Sequence, residues 1–67
     1  MIEAGQHYRF ADGSGWLMAV DKVEDGVVYY RDCFEDFIGI GRMTSLIQWE
    51  VDVENGTLVL VKEKKDG

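Results

Sequence analysis

One cysteine, Cys33, and one histidine, His7, are the side chains in this 67-residue sequence best suited to covalent or proton-transfer chemistry. A thiol or hydroxyl nucleophile needs a base beside it and a third group to orient that base. His7 is the sole imidazole, placed in the "QHYRF" run two residues after Gly5. A Cys33–His7 pair across a barrel is geometrically conceivable, but burial as a small apolar group is the commoner fate of such a thiol. Ser14 sits in "DGSG" and Ser45 follows Thr44 at a capping position, where hydroxyls bond to nearby backbone. No nucleophile, base and orienting group stand out as a set, so catalysis is not expected.

Metal and nucleotide chemistry fare no better. The acid pairs Glu24-Asp25 and Glu35-Asp36 are adjacent, so on a strand their carboxylates point to opposite faces. There is no Asp/Asn ladder of the calcium-loop kind, and His7 has no partner at zinc-ligand spacing. "GIGRMT" (Gly39–Thr44) carries two of the three glycines of a dinucleotide fingerprint, but it lacks the βαβ context and the later acidic residue. Nothing calls for a metal or a cofactor.

What the sequence does concentrate is aromatic surface. Four of its eight aromatic residues fall in "GVVYYRDCFEDF", Gly26 to Phe37, followed directly by "IGIGR". Tyr30, Phe34, Glu35, Asp36, Phe37, Ile38, Ile40 and Arg42 thus form a candidate contact surface for a partner. The plainer account is that the rings fill a small core. Burial of Phe34 and Phe37 decides between the two.

Composition sets the frame. The chain is 46% hydrophobic and 30% charged, apolar enough to fold, and its length allows one domain, expected over 1–63 with a disordered charged tail at 64–67. A core this small rarely supplies more than about 3–5 kcal/mol without a staple, and a lone cysteine forms no intrachain disulfide. Tight aromatic packing, a bound partner or self-association as a homodimer would each make up the difference. The unpaired thiol and a start, "MIEAGQHY", without a basic or apolar run fit a reducing, cytoplasmic setting. No segment approaches the roughly 18 apolar residues of a membrane span.

Net charge is −6, and the residues before Lys62 hold four basic against eleven acidic side chains. Such a surface repels phosphate backbones at long range, which argues against direct nucleic-acid binding and for a basic protein partner.

The elements that must carry these residues are strands. "ADGSG", "EDG", "GIG" and "ENG" punctuate the chain, proline is absent, and the runs between are short and rich in Val, Ile, Tyr, Phe and Trp. "EDG" joins a hairpin over 16–23 and 27–33, with Val28 and Tyr30, or Val27 and Tyr29, facing inward. In "IQWEVDVENGTLVLV", Ile47, Trp49, Val51 and Val53 alternate with polar residues before Asn55-Gly56, which predicts a second hairpin over 47–54 and 57–63 through a type I′ turn. Phe34 to Arg42 then makes a loop, with at most one helical turn near 43–47, capped by Thr44 or Ser45. Five strands joined by short turns predict an all-β fold, a small five-stranded SH3-like barrel closed against exposed edges.

"DGSGWLMAVDKVEDGVVYYRD" resembles the central strand–turn–strand of SH3-like and Tudor-like barrels, through Asp12, Gly13, Trp16, Ala19, Val20, Val23, Gly26, Val28, Tyr30 and Asp32. It covers about a third of the chain; the "ALYDY"-like segment, Trp-Trp pair and proline-binding signature of signalling SH3 domains are missing. In overall look the chain also resembles short proteins of bacteria and their phages or plasmids. The Tudor-like resemblance implies an aromatic cage for a methylated cation, which Trp16, Tyr30, Phe34 and Phe37 would build with Glu35 or Asp36 at the rim.

Three functional expectations follow. The first is a non-enzymatic protein-interaction module working through the 34–42 loop. The second is an acidic mimic that inhibits a basic nucleic-acid-binding protein. The third is an oligomeric barrel holding a small ligand between subunits.

Overall fold

The computed structural model describes residues 2–34 and 37–62; the expected tail over 64–67 lies outside them. Five strands and one helix follow in the order β1 (His7–Phe10), β2 (Leu17–Glu24), β3 (Val27–Phe34), β4 (Phe37–Ser45), α1 (Leu46–Glu54) and β5 (Leu58–Lys62). The strands form one antiparallel sheet in the order β4-β3-β2-β1-β5. The mainly β, five-stranded antiparallel architecture expected from the sequence is present. The expected closure is not: β4 and β5 are the two outer strands and do not pair with one another. Helix α1 lies between them instead, packed against β5, β4 and β3.

The β2–β3 hairpin forms where its punctuation places it. Asp25 and Gly26 both take positive φ, 52° and 75°, the requirement of a tight turn that matches the right-handed twist of its strands. Alternation then decides the faces. Met18, Val20 and Val28 are buried and Tyr30 half-buried on the inner side, while Asp21 and Arg31 meet outside in a bidentate pair at 3.0 and 3.1 Å. A bulge between Val20 and Lys22 shifts the ladder, so Lys22 lies opposite Tyr29, its ammonium 4.7 Å from the ring centroid.

Two expectations fail together. The segment over 47–54 is not a strand of a second hairpin but most of helix α1, and Phe37–Ser45, expected as a loop with at most one helical turn near 43–47, is strand β4. The segment carries two periods at once. Ile47, Trp49, Val51 and Val53 alternate as in a strand, while Leu46, Trp49 and Val53 recur as in a helix. The end signals favour the helix. Ser45 is its N-cap, its hydroxyl accepting from the Gln48 N–H at 3.3 Å, and the Leu46 N–H donates to the Gly26 carbonyl at 2.9 Å. At the far end Gly56 has φ 88° and its N–H donates to the Val53 carbonyl. A glycine at positive φ serves a helix C-terminus as well as a type I′ turn, and Asn55, at φ −86° and ψ 0°, rules out the turn.

The core forms between the inner sheet face and α1. It contains Ile2, Tyr8, Met18, Val20, Val28, Trp49 and Leu58, with Phe10, Val23, Tyr30, Leu46 and Val53 packed around them. Trp49, 2% exposed, is the buried residue of the helix, and its ring meets Tyr8 and Tyr30 edge-on at 5.5 and 5.1 Å. Gln6, the buried polar side chain, is satisfied: its Oε1 accepts from the Tyr8 hydroxyl at 2.9 Å and from the Glu3 N–H at 2.8 Å.

Candidate functional site at the tip of the β3–β4 hairpin

Strands β3 and β4 stay paired from Val27↔Ser45 to Phe34↔Phe37, so the hairpin carries Phe34 and Phe37 opposite each other at its end. Glu35 and Asp36 lie outside the described residues. The Trp16 ring, entering β2, stands 5.1 Å from Phe34 in a tilted stack and 6.1 Å from Phe37 edge-on. Gly15, at φ 88°, runs so close beneath this cluster that a Cβ there would meet Phe34 Cε1 at 3.0 Å. Trp16 meets both phenyl rings, yet Trp16, Phe34 and Phe37 remain 37%, 36% and 58% exposed. The core reading fails for both phenyl rings; they are surface.

The structure divides the expected contact residues. Phe34 and Phe37 join Trp16 at the tip, and Ile38 and Ile40 project from β4, both largely exposed. Tyr30 goes inward to Trp49 instead. Arg42 lies opposite Tyr30, and its Nε donates to Asp32 Oδ2 at 2.8 Å. Asp32 was not anticipated as a member. Its place is set by β4 being a strand, which brings Arg42 beside Tyr30 and Asp32 on the inner face of β3. Reading the 34–42 segment as a loop hid that pairing.

Below the tip, Phe10, Trp16, Met18, Tyr30, Asp32 and Arg42 line a cavity of about 310 Å³. Burial pushes the Tyr30 phenol above its ordinary pKa, Asp32 adds to the rise, and Arg42 opposes it. The cation cage that the Tudor-like resemblance implies is only partly assembled. Trp16 and Tyr30 share the cavity, but Phe34 and Phe37 stand at the tip, and the carboxylate lining it already carries the Arg42 guanidinium. Such a pocket suits an apolar side chain flanked by hydrogen-bonding groups better than a bare cation.

The conceivable Cys33–His7 pairing does not form. Strand β2 runs between β1 and β3, placing His7 beside Ala19 and Cys33 beside Leu17. Two strand spacings put the two residues roughly 10 Å apart across the sheet before the offset along it. Among the described residues there is no group of three or more His, Cys, Asp or Glu arranged to hold a metal. No helix there is long and apolar enough to cross a membrane. No protein-family model, curated protein or solved structure matches the chain.

Proposed function

We propose that this chain is a non-enzymatic protein-interaction module on a small SH3-like fold, and that it holds a protein partner at the tip of the β3–β4 hairpin. The carrying observation is the cluster of Phe34 and Phe37 about Trp16, three rings all open to solvent. Aromatic residues dominate the energetics of interfaces because they remove large apolar area at little rotamer cost. The adjacent cavity would take one apolar side chain of the partner, and the Asp32–Arg42 pair would offer a donor and an acceptor beside it. A net charge of −6 favours a basic partner by steering. The setting is a cytosol, where the thiol of Cys33 stays unpaired.

The acidic-mimic reading has less to stand on. Asp21, Glu24 and Asp32 are engaged by Arg31, Lys22 and Arg42, which leaves less acid free to imitate a phosphate backbone.

The experiment is capture from native extract by immobilised chain, repeated with a Trp16→Ser/Phe37→Ser variant whose circular dichroism matches the parent. Loss of the captured protein, together with shifts at Phe34–Arg42 on titrating it back, supports the reading. Equal capture by the variant, or a titration that leaves those resonances in place, rejects it.

A further inference from the structure

We propose that strand β4 pairs edge to edge with β4 of a second copy, antiparallel about a two-fold axis at Met43, making a homodimer with one continuous sheet. This uses the side of the hairpin rather than its tip, so it does not rest on the proposed partner site.

Among the described residues, the outer row of N–H and C=O groups on β4 has no strand beside it. Sheet proteins usually blunt such an edge with short strands, lysines, prolines or a covering element. Strand β4 has nine residues, no proline and no lysine, and its single charged side chain, Arg42, is drawn to Asp32. The opposite edge is shorter: β5 has five residues and includes Lys62.

Side chains point the same way. Among the described residues, the four most exposed large apolar side chains are Ile40 at 82%, Ile47 at 72%, Met43 at 68% and Ile38 at 65%. All four fall between residues 38 and 47, on β4 and the first turn of α1. At the areas usual for such side chains they expose roughly 500 Å² per copy, so about 1,000 Å² is the most that a pair would cover through them, the size at which specific interfaces begin.

Charge selects the occupant. Each copy carries −6, so two copies repel over most approaches, yet Phe37–Ser45 contains no acidic residue. An acid-free, self-complementary strand is therefore where one copy meets another at least electrostatic cost. The register follows from the β3–β4 ladder. It is unbroken from Arg31↔Gly41 to Val27↔Ser45 and shifts only between Arg31 and Cys33. Gly41–Ser45 is the regular part of the edge, and Met43 is its midpoint. Pairing there sets Arg42 opposite Thr44 of the second copy and carries Ile40 toward the start of the other α1, beside Ile47.

Residues facing each other across an antiparallel two-fold have Cα atoms about 4.5–5.5 Å apart, within disulfide range. A Cys33→Ser/Met43→Cys chain should therefore oxidise to a covalent dimer. Cys33→Ser/Val61→Cys, which places the thiol on the β5 edge, should not. Analytical ultracentrifugation of the unmodified chain should show a monomer–dimer equilibrium that tightens as salt rises, since salt screens the repulsion between acidic copies. Met43→Glu/Ile47→Glu, both at exposed positions outside the partner surface, should give a monomer with unchanged circular dichroism. A chain that stays monomeric at all concentrations overturns the proposal, as does a dimer that crosslinks through position 61 and not 43. The two readings fail separately: the glutamate variant should still capture the tip's partner, and Trp16→Ser/Phe37→Ser should still dimerise.

Discussion

The molecule contains two tryptophan-centred clusters of three aromatic rings, and they meet opposite fates. Trp49 with Tyr8 and Tyr30 lies between the sheet and α1, with Trp49 and Tyr8 sealed from water. Trp16 with Phe34 and Phe37 sits at the tip of the β3–β4 hairpin in the same range of centroid distances, open to water. Ring contacts of 5–6 Å therefore do not distinguish a core from a surface; the covering element does. Helix α1 is laid over one cluster, and no described element covers the other. In a chain this small the first cluster supports the fold, and the second stays open to solvent.

The sharpest way to break that contrast is to truncate each tryptophan. Trp49→Ala removes the one fully buried residue of α1 and should cost about 3–5 kcal/mol, comparable to the whole stability expected of so small a core. Thermal melting by circular dichroism should show loss of the cooperative transition. Trp16→Ala removes a ring already more than a third exposed and should cost well under half as much, on the order of 1 kcal/mol. Equal losses at the two sites would erase the division of labour.

The next largest effect tests what holds the cover in place. Helix α1 has no acidic residue in its first turn and no basic residue in its last, where Asp52 and Glu54 instead oppose the dipole. Its ends are held by the Ser45 cap and the Gly56 terminus, with Gln48 Nε2 donating to Asp52 Oδ1 at 3.1 Å along its face. Ser45→Ala should cost about 1 kcal/mol and lower the melting temperature. Fluorescence of Trp49 should redden in step with it while that of Trp16, separated by the Trp16→Phe background, stays unchanged. A coordinated change in both would mean that the tip leans on the helix.

The same two clusters explain what was legible in the sequence. The β2–β3 hairpin is legible because its alternation and its turn are local. Apolar residues on both faces leave Val28 and Tyr30 or Val27 and Tyr29 as the inner pair, and the structure selects Val28 with Met18 and Val20. The Phe34–Phe37 question was posed correctly because four aromatics in one short segment exceed what the hairpin needs. Helix α1 was not readable, since one segment satisfied both periods and Asn55-Gly56 ends either element. That misassignment carried a second with it. A strand over 47–54 leaves Phe37–Ser45 as a loop, and the Asp32–Arg42 pairing exists only because that segment is β4.

Tyr30 links the two clusters, one side against Trp49 and the other lining the cavity with Trp16, and it gives the smallest but most specific test. Burial first, then the charge of Asp32, keep the proton on its phenol, and Arg42 pulls the other way. The folded pKa is therefore raised above the ordinary 10.0 of the unfolded chain. A raised tyrosine pKa means the native state holds the proton more tightly. Its stabilising contribution is full below pH 10, and it is lost as pH rises through the folded value. Denaturant midpoints should thus fall through that alkaline window, and Tyr30→Phe should flatten the fall. The tyrosinate titration followed by ultraviolet absorbance, with Tyr30→Phe identifying its component, should move down in Asp32→Asn and up in Arg42→Gln. Movement of both variants in one direction would mean that the guanidinium and carboxylate do not act on Tyr30 as separate charges, and the cavity would then have to be treated as solvent-filled and open.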